Sequence, residues 1–243
     1  MGRYFLGAAT VILLGIFAFS LSTTTPMNEQ KQLSNNQPSV LQTPTPTPKP
    51  EKYPLHRDIV ATVFWVGEKE GPENDYISND QSAWDRHWME NFGGVDTPDE
   101  RNGWFPKAFI PKENPFYIAL PYTDFERRER KENAVRIPWY KKPVSDNVSL
   151  VKNRWIKIYY EDKVCYGQWE DAGPGEPDDL PYVFGNEKWA NEFGVGAGID
   201  LSPAVRNCLG VGSVSKVDWR FVDDEDVPPG PWKIVITKSG VTW

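Results

Sequence analysis

The pattern of hydrophobic and polar positions predicts a mainly β fold. β-branched and aromatic residues are concentrated in short runs that are separated by Gly, Pro and charged residues. The runs with strand character are residues 59–66, 115–124, 155–160, 164–169, 217–222 and 232–236. A polar turn separates 155–160 from 164–169, which indicates a hairpin. Short strands with few helical signals between them favour a β-barrel.

A short helix is predicted in the long insertion after the first strand. Ser82 and Asp85 have the spacing of a capping box, and Trp84, Trp88 and Phe92 recur at helical spacing. The insertion therefore carries at least one structured element rather than a plain loop.

A second helix follows a short strand and places an acid in a prominent position. Ile199 and Leu201 flank Asp200 with strand alternation, so Asp200 faces away from the core if its neighbours face it. Ser202 is a good N-cap and Pro203 fits the first helical position. We expect Asp200 to be displayed at this strand-to-helix junction as a reactive group. The alternative is a carboxylate that only interacts with the helix N-terminus.

The N-terminal region predicts export. Arg3 precedes an apolar run over residues 4–21, and the next charge is Glu29. This pattern is typical of a signal peptide or of an N-terminal membrane anchor, over residues 1–22. The positive charge before the run places the rest of the chain on the outer side of the membrane.

The next region is predicted to be a spacer before one folded domain. Residues 23–52 are polar and rich in Pro and Thr, with proline at alternate positions over 44–50. Such a segment cannot bury enough apolar area to fold, and its prolines favour extended backbone. We therefore expect a disordered linker over 23–52 and a barrel domain over 53–243.

Composition narrows the classes of partner. The net charge of −7 leaves no basic stripe for phosphates, so no nucleic-acid partner is expected. Aromatic residues make up 14% of the chain, which supplies a core and leaves some rings for a stacking surface. The chain has only two histidines, and the acidic loop 171–179 lacks the regular spacing of a calcium loop. We expect no metal and no cofactor.

The chain has two cysteines, Cys165 and Cys208. In an exported protein such a pair indicates one disulfide, which here would join the strand before Trp169 to the helix after Asp200. Two buried free thiols are the alternative.

Several short motifs resemble a known family. They are Ala119-Leu120-Pro121, Trp169-Glu170-Asp171-Ala172-Gly173-Pro174, Gly198-Ile199-Asp200-Leu201-Ser202-Pro203-Ala204 and Leu209-Gly210. In this order they resemble the double-psi β-barrel of rare lipoprotein A, a barrel that expansin-type proteins share. The resemblance implies a six-stranded double-psi β-barrel with short helices, long loop insertions and a glycan groove. It also implies that Asp200 has the position of the acid in lytic transglycosylases, in which a hydroxyl of the sugar itself attacks.

The chain departs from that family at identifiable places. Ile118-Ala119 stands where many of those lipoproteins have a histidine before Leu-Pro, and the lipid-bearing cysteine is absent. The insertions between residues 66 and 116 and between 174 and 198 are long for the family.

These observations lead to an enzyme hypothesis and to alternatives. Glycan cleavage needs an acid for the leaving oxygen and usually a second carboxylate. We expect a lytic-transglycosylase-like or glycoside-cleaving domain that acts on cell-wall polysaccharide such as peptidoglycan. The proposed residues are Asp200 as general acid, Asp171 as orienting or basic partner, and Tyr122, Asp124, Trp169 and Glu170 as substrate-binding groups. The alternatives are a non-catalytic expansin-like carbohydrate-binding module and a surface module for a protein partner.

Overall fold

The computed structural model describes residues 50–243, apart from 75, 143–144 and 146. The predicted signal peptide or anchor and nearly all of the predicted linker lie outside the described residues. Within the part of the chain that is described, no helix is long and apolar enough to cross a membrane.

The described residues form a mainly β structure with short helices. The strands are β1 (His56–Val63), β2 (Arg101–Asn102), β3 (Phe105–Pro106), β4 (Tyr117–Leu120), β5 (Phe125–Glu126), β6 (Glu129–Arg130), β7 (Trp155–Tyr160), β8 (Lys163–Ala172), β9 (Ile199–Leu201) and β10 (Val214–Val222). The helices are α1 (Trp88–Phe92), α2 (Leu180–Val183) and α3 (Pro203–Leu209), with 3₁₀ turns at Pro72–Asn74, Glu132–Arg136, Asp224–Asp226 and Pro231–Lys233.

Six of the strands close into a mixed barrel in the order β1-β10-β7-β8-β4-β9. β1 is parallel to β9 and β4 is parallel to β8, while the other neighbouring strands are antiparallel. The predictions of a β-barrel and of the β7–β8 hairpin are therefore confirmed. Strand alternation sends one set of side chains into a shared core, including Ile118, Leu120, Ile199, Leu201 and Trp219.

A second apolar cluster covers part of the outer face of the barrel. Trp88 and Phe92 of α1 pack against Phe64, Tyr117 and Ala119. Tyr117 and Ala119 alternate along β4 with Ile118 and Leu120 of the main core. The insertion thus buries the outer side of β4 and fixes the surroundings of Ala119.

The predicted strand at 232–236 is wrong. This segment overlaps the 3₁₀ turn Pro231–Lys233 and contains no strand. The physical reason is that the barrel is already closed, because β10 pairs with β1 on one side and with β7 on the other. No ladder edge of β10 is left for another strand.

The helix in the insertion is shorter than its pattern suggests. α1 begins only at Trp88, and no side chain caps it. The carbonyl of Trp84, which would accept the N–H of Trp88 in a continuous helix, instead accepts the N–H of Thr242 at 2.8 Å. Pairing with a distant segment therefore replaces the first helical turn.

Cys165 on β8 and Cys208 on α3 are bonded as a disulfide, with their Cα atoms 6.1 Å apart. The bond closes a loop with a sequence separation of 43 residues that contains Asp171 and Asp200. It joins α3 to the strand that carries Asp171.

Candidate functional site

Asp200 is the middle residue of the short strand β9 and lies on the outer face of the barrel. Ile199 and Leu201 on either side of it are buried in the main core, while Asp200 is partly exposed. The chain then enters α3, where Pro203 is the first residue and Ser202 is the N-cap, accepting a hydrogen bond from the N–H of Val205 at 3.3 Å. The local prediction for this junction is confirmed.

The hydrogen bonding of Asp200 leaves one of its oxygens open. The Thr62 hydroxyl donates to Oδ1 of Asp200. Burial raises the pKa of Asp200 to about 6, and the Thr62 donor acts in the opposite direction because it favours the ionised form. Among the described residues, Oδ2 of Asp200 has no hydrogen-bond partner, so it is available to a ligand.

Asp171 lies near the end of β8, and its Oδ1 is held by backbone groups. Oδ1 accepts the N–H of Ala83 at 2.7 Å and the N–H of Ala172 at 2.8 Å. Burial nevertheless raises the pKa of Asp171 to about 7, and the charge of Asp200 adds to this rise. The desolvation of the carboxylate thus outweighs two hydrogen bonds that favour its ionised form.

The register of the barrel brings the two acids into one row. Ala119 of β4 pairs with Asp171 on one side and with Asp200 on the other, and Asp200 pairs in turn with Thr62. Paired residues point to the same face of a sheet, and two strand spacings put the Cα atoms of Asp171 and Asp200 about 10 Å apart. Neither carboxylate forms an ion pair with any residue that the structure describes. The row is therefore a carboxylate pair without a counterion in the described chain.

Glycines next to this pair allow close approach. At Gly173 it is the φ of 155° that favours glycine, because a Cβ there would be in ordinary van der Waals contact, 3.8 Å from Oδ2 of Asp200. A Cβ on Gly198 would lie 3.0 Å from Cγ of Trp189, and one on Gly175 would lie 2.8 Å from Cγ of Asn191. The loop 186–197 therefore packs closely against the segments that flank both acids.

The predicted substrate-binding aromatics are buried. Trp169 lies in the main core, where its ring packs edge-on against Trp84 at 6.0 Å. Tyr122 is also buried, and its hydroxyl donates to Oδ1 of Asn133 at 3.1 Å. Neither ring offers a face to a glycan in this structure. Their role here is packing.

The predicted substrate-binding acids are buried as well, and each has a cationic partner. Asp124 accepts from Arg130 at 2.6 Å and from the backbone N–H of Leu150 at 2.6 Å. Glu170 accepts from Lys152 Nζ at 2.7 Å. The structure thus brings Asp171 and Asp200 into one row, whereas the other four predicted site residues are buried.

Sequence reasoning missed the roles of Thr62 and Ala83, whereas the 186–197 loop lies in the insertion between 174 and 198 that it marked as long. Strand alternation predicts that Thr62 points to the face opposite to Ala61. It does not predict the contact with Asp200, because β1 pairs with β9 across 138 residues of sequence. The capping-box pattern of Ser82 and Asp85 predicts a helix start in this segment and gives no sign of the contact between Ala83 and Asp171. In the loop, the exposed ring of Phe193 carries no sequence signature that separates it from a core aromatic.

A Thr62→Val variant is expected to raise the pKa of Asp200 above about 6. The change removes the hydroxyl that donates to the ionised carboxylate and keeps the side-chain volume nearly constant. Titration of the side-chain carboxyl ¹³C signal measures this. A Thr62→Ser variant keeps the donor and should titrate as the wild type does. An unchanged pKa in Thr62→Val would contradict the assigned hydrogen bond.

Comparison with models of known protein families finds no match, and a search of curated proteins finds none either.

Proposed function

We propose that this protein is an exported cell-envelope enzyme that cleaves polysaccharide through the Asp171–Asp200 pair. The observation that carries the proposal is the row on the outer face, in which two partly exposed carboxylates with raised pKa values flank Ala119. Acids of raised pKa that share a site are typical of acid–base catalysis. The closed six-stranded mixed barrel is compatible with the double-psi barrel that the motifs resemble.

The chemistry requires one proton on the pair. Between pH 6 and 7 the pair holds about one proton, because the pKa values are about 6 for Asp200 and about 7 for Asp171. The protonated member donates its proton to the glycosidic oxygen as the bond from C1 to that oxygen breaks, which releases the leaving sugar as an alcohol. The ionised member stabilises the positive charge that develops at C1 and takes a proton from the attacking hydroxyl. We assign this chemistry to the pair rather than to Asp200 alone.

Two outcomes follow from the identity of the attacking hydroxyl. If a hydroxyl of the same sugar attacks, the product is an anhydro-sugar, as in lytic transglycosylases. If water attacks, the product has a new reducing end. The pair can serve either reaction, because each reaction needs one acid and one base that flank the glycosidic bond.

The experiment is product analysis on insoluble peptidoglycan with the purified full chain. Mass spectrometry should detect soluble fragments with anhydro ends or with new reducing ends. Sedimentation of the protein with the wall material and no soluble product would contradict the enzyme and favour the binding-module alternative. If the protein neither releases soluble product nor sediments with the wall material, both the enzyme and the binding-module hypotheses are contradicted.

The pH dependence of cleavage is expected to be bell-shaped with a maximum near pH 6.5. Below about pH 6 both carboxyls are protonated and the base is lost, whereas above about pH 7 both are ionised and the acid is lost. Initial rates from pH 4.5 to 8.5 measure the two limbs. Activity that keeps rising above pH 8 would contradict the assignment of a carboxyl as the acid.

A further inference from the structure

The N–H group that holds Asp171 comes from a turn far away in sequence. Ala83 donates to Oδ1 of Asp171 across 88 residues. The turn is closed by Ser82, whose N–H donates to the carbonyl of Asp85 at 2.8 Å and whose Oγ accepts the N–H of Asp85 at 3.1 Å. Trp84 between them is fully buried in the main core.

Segment 237–242 holds this turn from the other side. Thr242 donates its N–H to the carbonyl of Trp84 at 2.8 Å, and its carbonyl accepts the N–H of Arg86 at 3.1 Å. Its hydroxyl donates to Oδ1 of Asp85 at 2.6 Å. Asp85 is nearly fully buried and also accepts from Nδ2 of Asn91 at 2.7 Å. Thr242 and Asp85 thus join the turn, α1 and segment 237–242.

The same segment is fixed to the barrel at its beginning. Thr237 donates its N–H to Oε1 of Gln168 at 2.9 Å, and its carbonyl accepts from Nε2 of Gln168 at 3.1 Å. Two residues later, Ser239 accepts from Lys152 Nζ at 3.0 Å. Gln168 and Asp171 are both on β8. The segment is therefore bonded to β8 at Gln168, and the turn that it holds is bonded to β8 at Asp171.

We propose that Thr242 and Asp85 are positioning residues for Asp171, because they hold the 82–85 turn where the Ala83 N–H meets Oδ1. The carboxylate thereby keeps its orientation toward the row that it shares with Asp200. As a statement about catalysis the inference rests on the proposed function. Its test needs no turnover, so it can fail or succeed independently of that function.

The test is a Thr242→Val variant followed by titration of the Asp171 carboxyl ¹³C signal. The Ala83 N–H stabilises the ionised form of Asp171. Loss of the Thr242 hydroxyl loosens the turn and weakens this hydrogen bond, so the ionised form becomes less favourable. The pKa of Asp171 should therefore rise, by about one pH unit if the bond is lost completely. The titratable group that acts on Asp171 is Asp200 of β9, two strands away across β4, so its signal is followed in the same titration.

Two matched variants isolate the effect. Thr242→Ser keeps the hydroxyl and should restore the wild-type titration of Asp171. Ser239→Ala alters the same segment at its contact with Lys152 and should leave that titration unchanged. A folded Thr242→Val chain with an unshifted Asp171 would overturn the proposal, as would an equal shift in Ser239→Ala.

Hydrogen exchange in the unaltered chain gives a second measurement that does not depend on the variant folding. The amides of Ala83 and Thr242 should exchange with the same opening free energy, because one opening event frees both. Exchange of Ala83 at least ten-fold faster than that of Thr242 would show that the turn opens without the segment. That result would overturn the positioning role.

Discussion

The Asp200→Asn variant is expected to lose polysaccharide cleavage by about a hundred-fold to ten-thousand-fold while it keeps its fold. An amide can neither donate the proton that the leaving oxygen needs nor accept one from the attacking hydroxyl. The amide oxygen can still accept from Thr62, so the local structure remains satisfied. Release of soluble fragments from peptidoglycan measures the loss.

The stability of the same variant provides the control for folding. Burial raises the pKa of Asp200, so the ionised side chain destabilises the folded state above about pH 6, and the neutral amide removes this cost. The free energy of unfolding at pH 8 should therefore be equal to or higher than that of the wild type. Asp162→Asn, an exposed change in the β7–β8 turn, should leave cleavage unaltered. Full activity in Asp200→Asn would remove this side chain from the mechanism.

A Lys152→Met variant is expected to destabilise the protein by about 3–5 kcal/mol at pH 8, because breaking a buried ion pair leaves an uncompensated charge. Lys152 and Glu170 are both almost fully buried and lie 2.7 Å apart. Glu113 is a second buried carboxylate in this cluster, and it accepts a hydrogen bond from the Ser239 hydroxyl. Among the described residues, Oε1 of Glu170 and Oε2 of Glu113 have no hydrogen-bond partner. Removal of the lysine takes away the cation of this cluster.

The loss should be smaller at pH 5. Burial raises the pKa of Glu170 to about 7 even though Lys152 lowers it, so removal of the lysine raises it further. Between the ordinary value of 4.5 and this higher folded value, the folded variant binds a proton that the unfolded chain does not. Its stability therefore falls as the pH rises through that window. The wild type loses stability in the same way only up to about pH 7, so the variant falls further below it above that pH. At pH 5 Glu170 is neutral in both folded chains, and the difference between them is smaller.

Urea unfolding at pH 5 and at pH 8 measures the difference, taken between variant and wild type at each pH so that other titrations cancel. Lys216→Met, an exposed change on β10, should cost less than about 1 kcal/mol at both pH values. A Lys152→Met/Glu170→Leu double variant should recover most of the stability, because both charges are gone. A loss in Lys152→Met that is the same at both pH values would contradict the ion-pair explanation.

Several features of the fold and of the site could be predicted from sequence because they depend on neighbouring residues. The alternation of Ile199, Asp200 and Leu201 has the period of a strand and gave the outward direction of Asp200. Ser202 and Pro203 specify the start of α3 through a local cap. The two runs around the 161–162 turn specify a hairpin for the same reason.

Burial of the other predicted site residues could not be read in the same way. The sequence around Trp169 and Glu170 has the alternation of a strand, but both side chains are buried, one in the main core and one against Lys152. A charged residue in a strand is ordinarily solvated, and only a partner brought to it from another element makes its burial tolerable. That partner lies 18 residues away and has no motif.

The sequence by itself therefore determined the class of the fold, the outward side of Asp200 and the cap of α3, since these follow from the periods of strands and helices over a few residues. The tertiary structure decided which acids share a row, which are buried with a cation, and where the Ala83 N–H meets Asp171. Those outcomes depend on strand register and on contacts across tens of residues, including that of Thr242 with the 82–85 turn. Such pairings cannot be predicted from the periodicity of neighbouring residues.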